Sequence, residues 1–187
     1  EIATGKPVDK WHTDSVDYVL VIMLSDQTDM VGGDLRVLQM PNASNTGSNV
    51  SRFQELQSQG VPEELVETVK YAKAGYGILM QGSNILHTVS EVLAAREPRL
   101  SCVNSYMSNR VFVQPDNTRF NSHVRFDGFA CAAADFARHK AWRVGGQLKF
   151  IREHTSYDQK VATAQELSEM LRSAASELAY AADLIDG

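Results

Sequence analysis

His12-Thr13-Asp14 is the first group in the chain whose residue types and spacing can do chemistry. An imidazole and a carboxylate two residues apart in extended chain project to the same face, so both can reach one cation. Imidazole nitrogen with carboxylate oxygen suits divalent first-row metals. Such a pair arises by accident in a chain of 187 residues, and alone it leaves a structural histidine as open as a ligand. A further donor has to come from a distant segment. His123 lies in an Asn/Ser-rich stretch expected to be a loop, His139 on a helix as a surface or buried polar residue, and His154 in a solvated loop. His87 remains, 75 residues after His12 (87 − 12), at a strand start behind the Gly82-Ser83 turn; a structural role is its alternative.

Arg99-Leu100-Ser101 follows shortly after. On a strand Arg99 and Ser101 share a face. A guanidinium inside a β structure is costly unless paired, so an inward Arg99 requires an anion, and a planar fork beside a hydroxyl suits a carboxylate. An edge arginine facing solvent is the other reading of Arg99. Arg96, in the Ala94-Ala95-Arg96-Glu97 turn, is a rival for the same role.

These residues need a scaffold, and the first two-thirds of the chain reads as β. Residues 18–24 are β-branched and aliphatic, which predicts a buried strand. Gly32-Gly33 marks a turn before a strand over 34–40, and 41–50 is a polar loop. Ser51 caps a short helix through Gln59, closed by Gly60, and Pro62-Glu63-Glu64 opens a second. Strands are expected over Gly77–Met80, 85–92 and 99–107. Many short strands with Gly and Pro turns imply a sandwich or barrel, not βαβ units. Met23, Met30, Met40 and Met80 read as core filler.

The character changes to helix at Phe129. Phe129, Ala133, Phe136 and Lys140 fall on one side, until Gly145-Gly146 is expected to break or bend the run. Val161, Ala164, Leu167, Leu171, Ala174, Leu178, Ala181 and Ile185 then repeat every three or four residues. The expectation is a mainly β core over 1–127 and a helical extension over 128–187. That extension is an antiparallel pair, or an arm that packs on the core or on a second subunit, making a homo-oligomer.

A net charge of -5 argues against nucleic-acid or anionic-membrane partners. The longest apolar run, 18–24, is far short of the roughly 20 residues that cross a bilayer. Cys102 and Cys131 read as buried free thiols, and the glycosylation sequons at Asn42 and Asn49 carry little weight without a signal peptide, so a reducing, cytoplasmic location is expected. A chain that opens at Glu1 and reaches its motif by His12 reads as part of a longer parent.

Taken in order, HTD (12–14), GGDL (32–35), HTV (87–89) and RLS (99–101) resemble the double-stranded β-helix core of the Fe(II)/2-oxoglutarate dioxygenases, over about residues 8–107. The resemblance implies a jelly-roll, cupin-like fold and an iron(II) site of His12, Asp14 and His87. It implies 2-oxoglutarate clamped by Arg99 with support from Ser101, O2 as co-substrate, and hydroxylation or desaturation of a small organic molecule with release of succinate and CO2. Related halogenases lack the carboxylate, so Asp14 favours hydroxylation. Tyr18 and Gln81 could approach the co-substrate and Trp11 the substrate, against plainer readings as packing and turn residues. Two other functions stay open: a cupin-like metalloenzyme that does not use 2-oxoglutarate, and a non-catalytic metal-binding assembly module acting through its helices.

Overall fold

The computed structural model describes residues 9–39, 55–56, 58–112, 116, 118–155 and 163–186, without the side chains of 122, 123 and 126. The expected 41–50 loop, Met40, the Ser51 cap, Val161 and both sequons lie outside these residues. The architecture is mixed, with antiparallel sheets followed by helices. Two compact units follow one another, Glu1–Met107 and Ser108–Gly187.

In the first unit, β1 (Tyr18–Met23) is the centre of a three-stranded sheet, between β5 (Gly77–Met80) and β8 (Ser101–Tyr106). A second sheet sets β3 (Leu35–Leu38) between β4 (Val66–Val69) and β6 (His87–Val89). A short pair, β2 (Val31–Gly32) with β7 (Val92–Ala94), lies beside them in the chain order. Alternation along β1 buries Val19 and Met23, and the second sheet buries Leu35. Met23, Leu35 and Tyr71 form one cluster with Val21 and Ile78 from the first sheet and Val37 and Val69 from the second. The two sheets therefore face each other across a shared apolar core. Gly32 has φ +79°, and a Cβ there would lie 1.9 Å from the Glu91 carbonyl oxygen, so only glycine permits this crossing.

Several expected elements come out differently. Pro62-Glu63-Glu64 opens only a single 3-10 turn, Glu63–Leu65, because the β-branched Val66-Glu67-Thr68-Val69 pairs with β3 instead of coiling. The strand expected over 85–92 is split into β6 and β7, where Ser90 and Glu91 leave one partner strand for another. Both cysteines are free and exposed, not buried: Cys102 lies on the sheet-edge strand β8 and Cys131 on the solvent side of a helix.

The second unit has helices α1 (Phe120–Asp127), α2 (Phe129–His154) and α3 (Ala164–Asp186). It takes in 108–127, which the sequence assigned to the β core, because Phe120 is buried with Ala132, Phe136 and Ala181. His123 accordingly sits in helix α1, not a loop. The glycine pair does not break α2; a Cβ on Gly146 would meet Val111 at 3.2 Å, so that glycine admits a packed neighbour. His154 ends α2, stacked on Phe150 at 3.9 Å. Thr163 and Glu166 form a capping box at the start of α3: the Thr163 N–H and hydroxyl donate to Glu166 Oε2, and the Glu166 N–H donates to Thr163 Oγ1. Leu171 and Leu178, expected on the buried stripe of α3, are half exposed, whereas Ala174 and Ala181 are buried. No helix among the described residues is long and apolar enough to cross a membrane.

Charge is buried between α2, α3 and the segment before α1. Asp116 accepts from Lys140 Nζ at 2.5 Å and meets His139 Nε2 at 3.2 Å, while Arg143 Nε donates to Glu177 at 2.9 Å and its Nη2 to the Val111 carbonyl at 2.8 Å. Burial works against ionised Asp116, but His139, Lys140 and Thr118 hold its carboxyl well below the ordinary 3.8. The folded-state value is depressed, so this stabilisation is complete above the unfolded value and is lost as pH falls below it. Asp116→Ala removes the close partner of buried Lys140, leaving it only Glu177 at 3.7 Å among the described residues, and is expected to cost about 3 kcal/mol. Denaturant unfolding followed by helical circular dichroism checks both statements: the gap between wild type and variant should be full at neutral pH, begin to narrow below about pH 4, and still be mostly present at about pH 3.

Candidate metal centre

An antiparallel backbone bridge brings the two distant histidines together. The His12 N–H donates to the His87 carbonyl and the His87 N–H to the His12 carbonyl, each at 2.9 Å. Residues so paired present side chains on one face, and the two ring centroids are 4.3 Å apart. His87 is also the ladder partner of Val37, so the site grows directly from the register of the second sheet. The buried Thr88 hydroxyl donates to the Asp9 carbonyl at 2.6 Å and holds the chain entering the HTD motif.

Asp14 is placed by a second backbone bond, from its N–H to the Gly82 carbonyl at 2.9 Å. Its Oδ1 lies 3.5 Å from His12 Nε2 and 3.6 Å from His87 Nε2, and the three donor atoms are within 4.8 Å of one another. Donors about 2.1 Å from one cation at right angles stand about 3 Å apart, so a small contraction closes the set.

The ring tautomers are fixed by chemistry. His12 Nδ1 is 2.7 Å from the Lys10 carbonyl and His87 Nδ1 is 2.8 Å from the Ile85 carbonyl. A carbonyl only accepts, so each Nδ1 carries the proton and each neutral ring keeps its lone pair on Nε2, facing Asp14. Metal-ligating histidines are oriented in this way by a bond from the other ring nitrogen. The hydrogen bond with Asp14 raises His12 above its ordinary 6.5, against the effect of burial, whereas burial lowers His87. His87 is thereby kept neutral, ready to ligate.

Asp14 Oδ2 is buried and has no hydrogen-bond partner. A buried carboxylate oxygen left unpaired is costly, and a bound cation removes that cost. The carboxylate rests on the bare Cα of Gly82: a Cβ there would fall 1.8 Å from Asp14 Oδ2. The donor types, the tautomers and the orphaned oxygen all fit a divalent first-row metal.

Arg99 is half-buried, with Nε donating to the Gly33 carbonyl at 2.9 Å. Burial pushes its pKa down, and Tyr71 and Asp34 push it back up. Arg96 is 83% exposed on its side chain and pairs with Asp29 at 3.1 Å. Ser101 is exposed on β8, opposite Met23. Tyr18 is 38% exposed on the outer face of its sheet. Trp11 lies under the Arg36 guanidinium, 5.7 Å from ring centroid to Cζ. Gln81 lines a cavity of about 390 Å3, with Val37, Met80, Asn84 and Ile85 among the other walls. Two of its wall residues neighbour His87, Ile85 through the carbonyl that holds the ring and Val37 through the ladder, while none of the three metal donors lines it.

Sequence reasoning passed over Gly82, read as turn punctuation, and Tyr71, whose phenol is buried beside Arg99. Nothing in the sequence marks either as part of a site. No protein-family model, curated protein or solved structure matches the chain.

Gly82→Ala is expected to displace the Asp14 carboxylate and weaken metal binding by about 100-fold, within the range for losing an orienting partner. Isothermal titration with Fe(II) under argon, or with Co(II), checks this, with a retained thermal transition showing that the fold survives. Wild-type affinity should also fall with acidification between about pH 8 and about pH 6, as His12 takes up the proton that competes with metal. A flat profile would remove His12 Nε2 from the ligand set.

Proposed function

We propose that the β unit is the catalytic core of an Fe(II)- and 2-oxoglutarate-dependent oxygenase that hydroxylates a small organic substrate. The observation that carries this reading is the convergence of His12 Nε2, Asp14 Oδ1 and His87 Nε2, with both imidazole lone pairs turned toward the carboxylate. Two imidazoles and one carboxylate on one side of a cation leave the opposite positions open. A structural zinc site would instead be closed by four protein donors, whereas three converge here among the described residues, with Asp9 Oδ2 touching only the His12 side at 3.5 Å from its Nε2.

The strand connectivity supports a double-stranded β-helix. The chain runs from β1 in one sheet to β3 and β4 in the other, back to β5, across to β6 and back to β8. Repeated crossing between two facing antiparallel sheets is how a jelly roll is wound. Iron bound by the triad supplies oxygen activation coupled to decarboxylation of 2-oxoglutarate, giving succinate and CO2.

The chain's own groups have definable tasks. The Lys10 and Ile85 carbonyls orient the two rings, and Gly82 makes room for Asp14. Arg99 is the clamp for the distal carboxylate of the co-substrate. Its Nε is held by Gly33, which leaves the two terminal nitrogens for a bidentate pair. Half-burial favours Arg99 over Arg96, which is in water and already paired. Ser101, on the exposed edge strand, has a supporting part at most. The cavity walled by Val37 and Ile85, aliphatic apart from the Gln39, Gln81 and Asn84 amides, is where substrate approaches.

Anaerobic titration with Fe(II) and 2-oxoglutarate should give the weak visible charge-transfer band of the chelate, and admission of air should yield succinate. Folded protein that gives neither result sinks the reading. Arg99→Ala should weaken 2-oxoglutarate binding about 100-fold, the worth of a charge-assisted bidentate contact, with metal affinity unchanged. Activity that survives this substitution would point to a metalloenzyme that does not use 2-oxoglutarate.

A further inference from the structure

We propose that α2 pairs with α2 of a second copy of this chain, antiparallel, across a two-fold axis between Gly145 and Gly146. The helix runs unbroken through both glycines, and over them lies a surface groove of about 470 Å3 walled by Trp142, Lys149, Phe150 and Glu153 of α2 and by Asn109 and Val111. Trp142 is 47% exposed and Leu148 49%. Glycine inside an exposed helix costs about 1 kcal/mol relative to alanine. Val111 accounts for Gly146, but a Cβ on Gly145 would meet nothing within 4 Å. Among the described residues, nothing uses the space above Gly145.

The residues flanking the groove are self-complementary. Arg138, Trp142, Gly145, Lys149 and Glu153 follow one another at steps of three or four, which puts them on one stripe. In an antiparallel pair centred on the two glycines, residues equally far to either side face each other. Trp142 lies three residues before Gly145 and Lys149 three after Gly146, so each indole meets an ammonium of the other copy. Arg138 and Glu153 lie seven residues out on either side, and opposite charges meet. Every facing pair is attractive, as an isologous two-fold interface requires.

The intrachain pairs of these charges are exposed and exchangeable: Arg138 with Asp135 at 2.5 Å, and Glu153 with Arg152 at 3.6 Å and Lys149 at 3.9 Å. One helical stripe buries less than the roughly 1,600 Å2 of a standard interface, so the dimer dissociates on dilution.

Sedimentation velocity on the full chain over a dilution series tests this. A concentration-dependent dimer is expected. Gly145→Leu should weaken it at least about tenfold without lowering helical content, since leucine is the better helix former and only the approach of the second helix is blocked. Arg138→Glu and Glu153→Arg should each weaken the dimer several-fold, and the double variant should regain most of the loss. A monomer at every concentration, a dimer indifferent to Gly145→Leu, or a double variant no better than the singles overturns the proposal.

Discussion

The paired backbone bonds between His12 and His87 are the constraint on which the metal centre depends. They hold two segments 75 residues apart (87 − 12) in one register, and that register decides which side chains face Asp14. A slip of one residue would send either imidazole to the opposite face, because side chains alternate along a strand. The bridge also continues a ladder in which His87 pairs with Val37, and Leu35 and Val37 belong to the buried core. Site geometry is thus tied to apolar packing several residues away.

Two aspartates show how the molecule treats buried carboxylates in opposite ways. Asp116 is saturated by His139, Lys140 and Thr118, with Arg143 3.9 Å away. That carboxylate is spent on holding a segment to a helix and has nothing left for a ligand. Asp14 shares Oδ1 with two imidazoles and leaves Oδ2 unpaired, against a glycine that cannot repel it. Full satisfaction marks the first as architectural, and the missing partner of the second is what a cation would supply.

Much of this was legible in the sequence because local rules reach it. The run from Tyr18 to Met23 could be read as a strand from β-branching, and His12 and Asp14 could be paired from their spacing. His87 emerged by elimination among five histidines, and it is the one that the fold brings to the pair. The failures share a cause: long-range contacts override local propensity. Pro62-Glu63-Glu64 carries a helix start, yet the residues after it are claimed by β3. Gly145-Gly146 reads as a break, yet Val144 and Gln147, buried immediately before and after the pair, carry the helix through. The Thr163 to Glu166 capping box was a local signal, visible as Thr-x-x-Glu, that could have fixed the start of α3.

Gly82 has a consequence for how tolerance to mutation is distributed over this chain. It contributes no functional group, and neither does Gly32, yet in both places the volume of a methyl group is already taken, by the Asp14 carboxylate and by the Glu91 carbonyl. A substitution survey scored for lost functional groups would rank both as silent. Their intolerance comes from an atom gained, so alanine, ordinarily the mildest replacement, is already too large at either position.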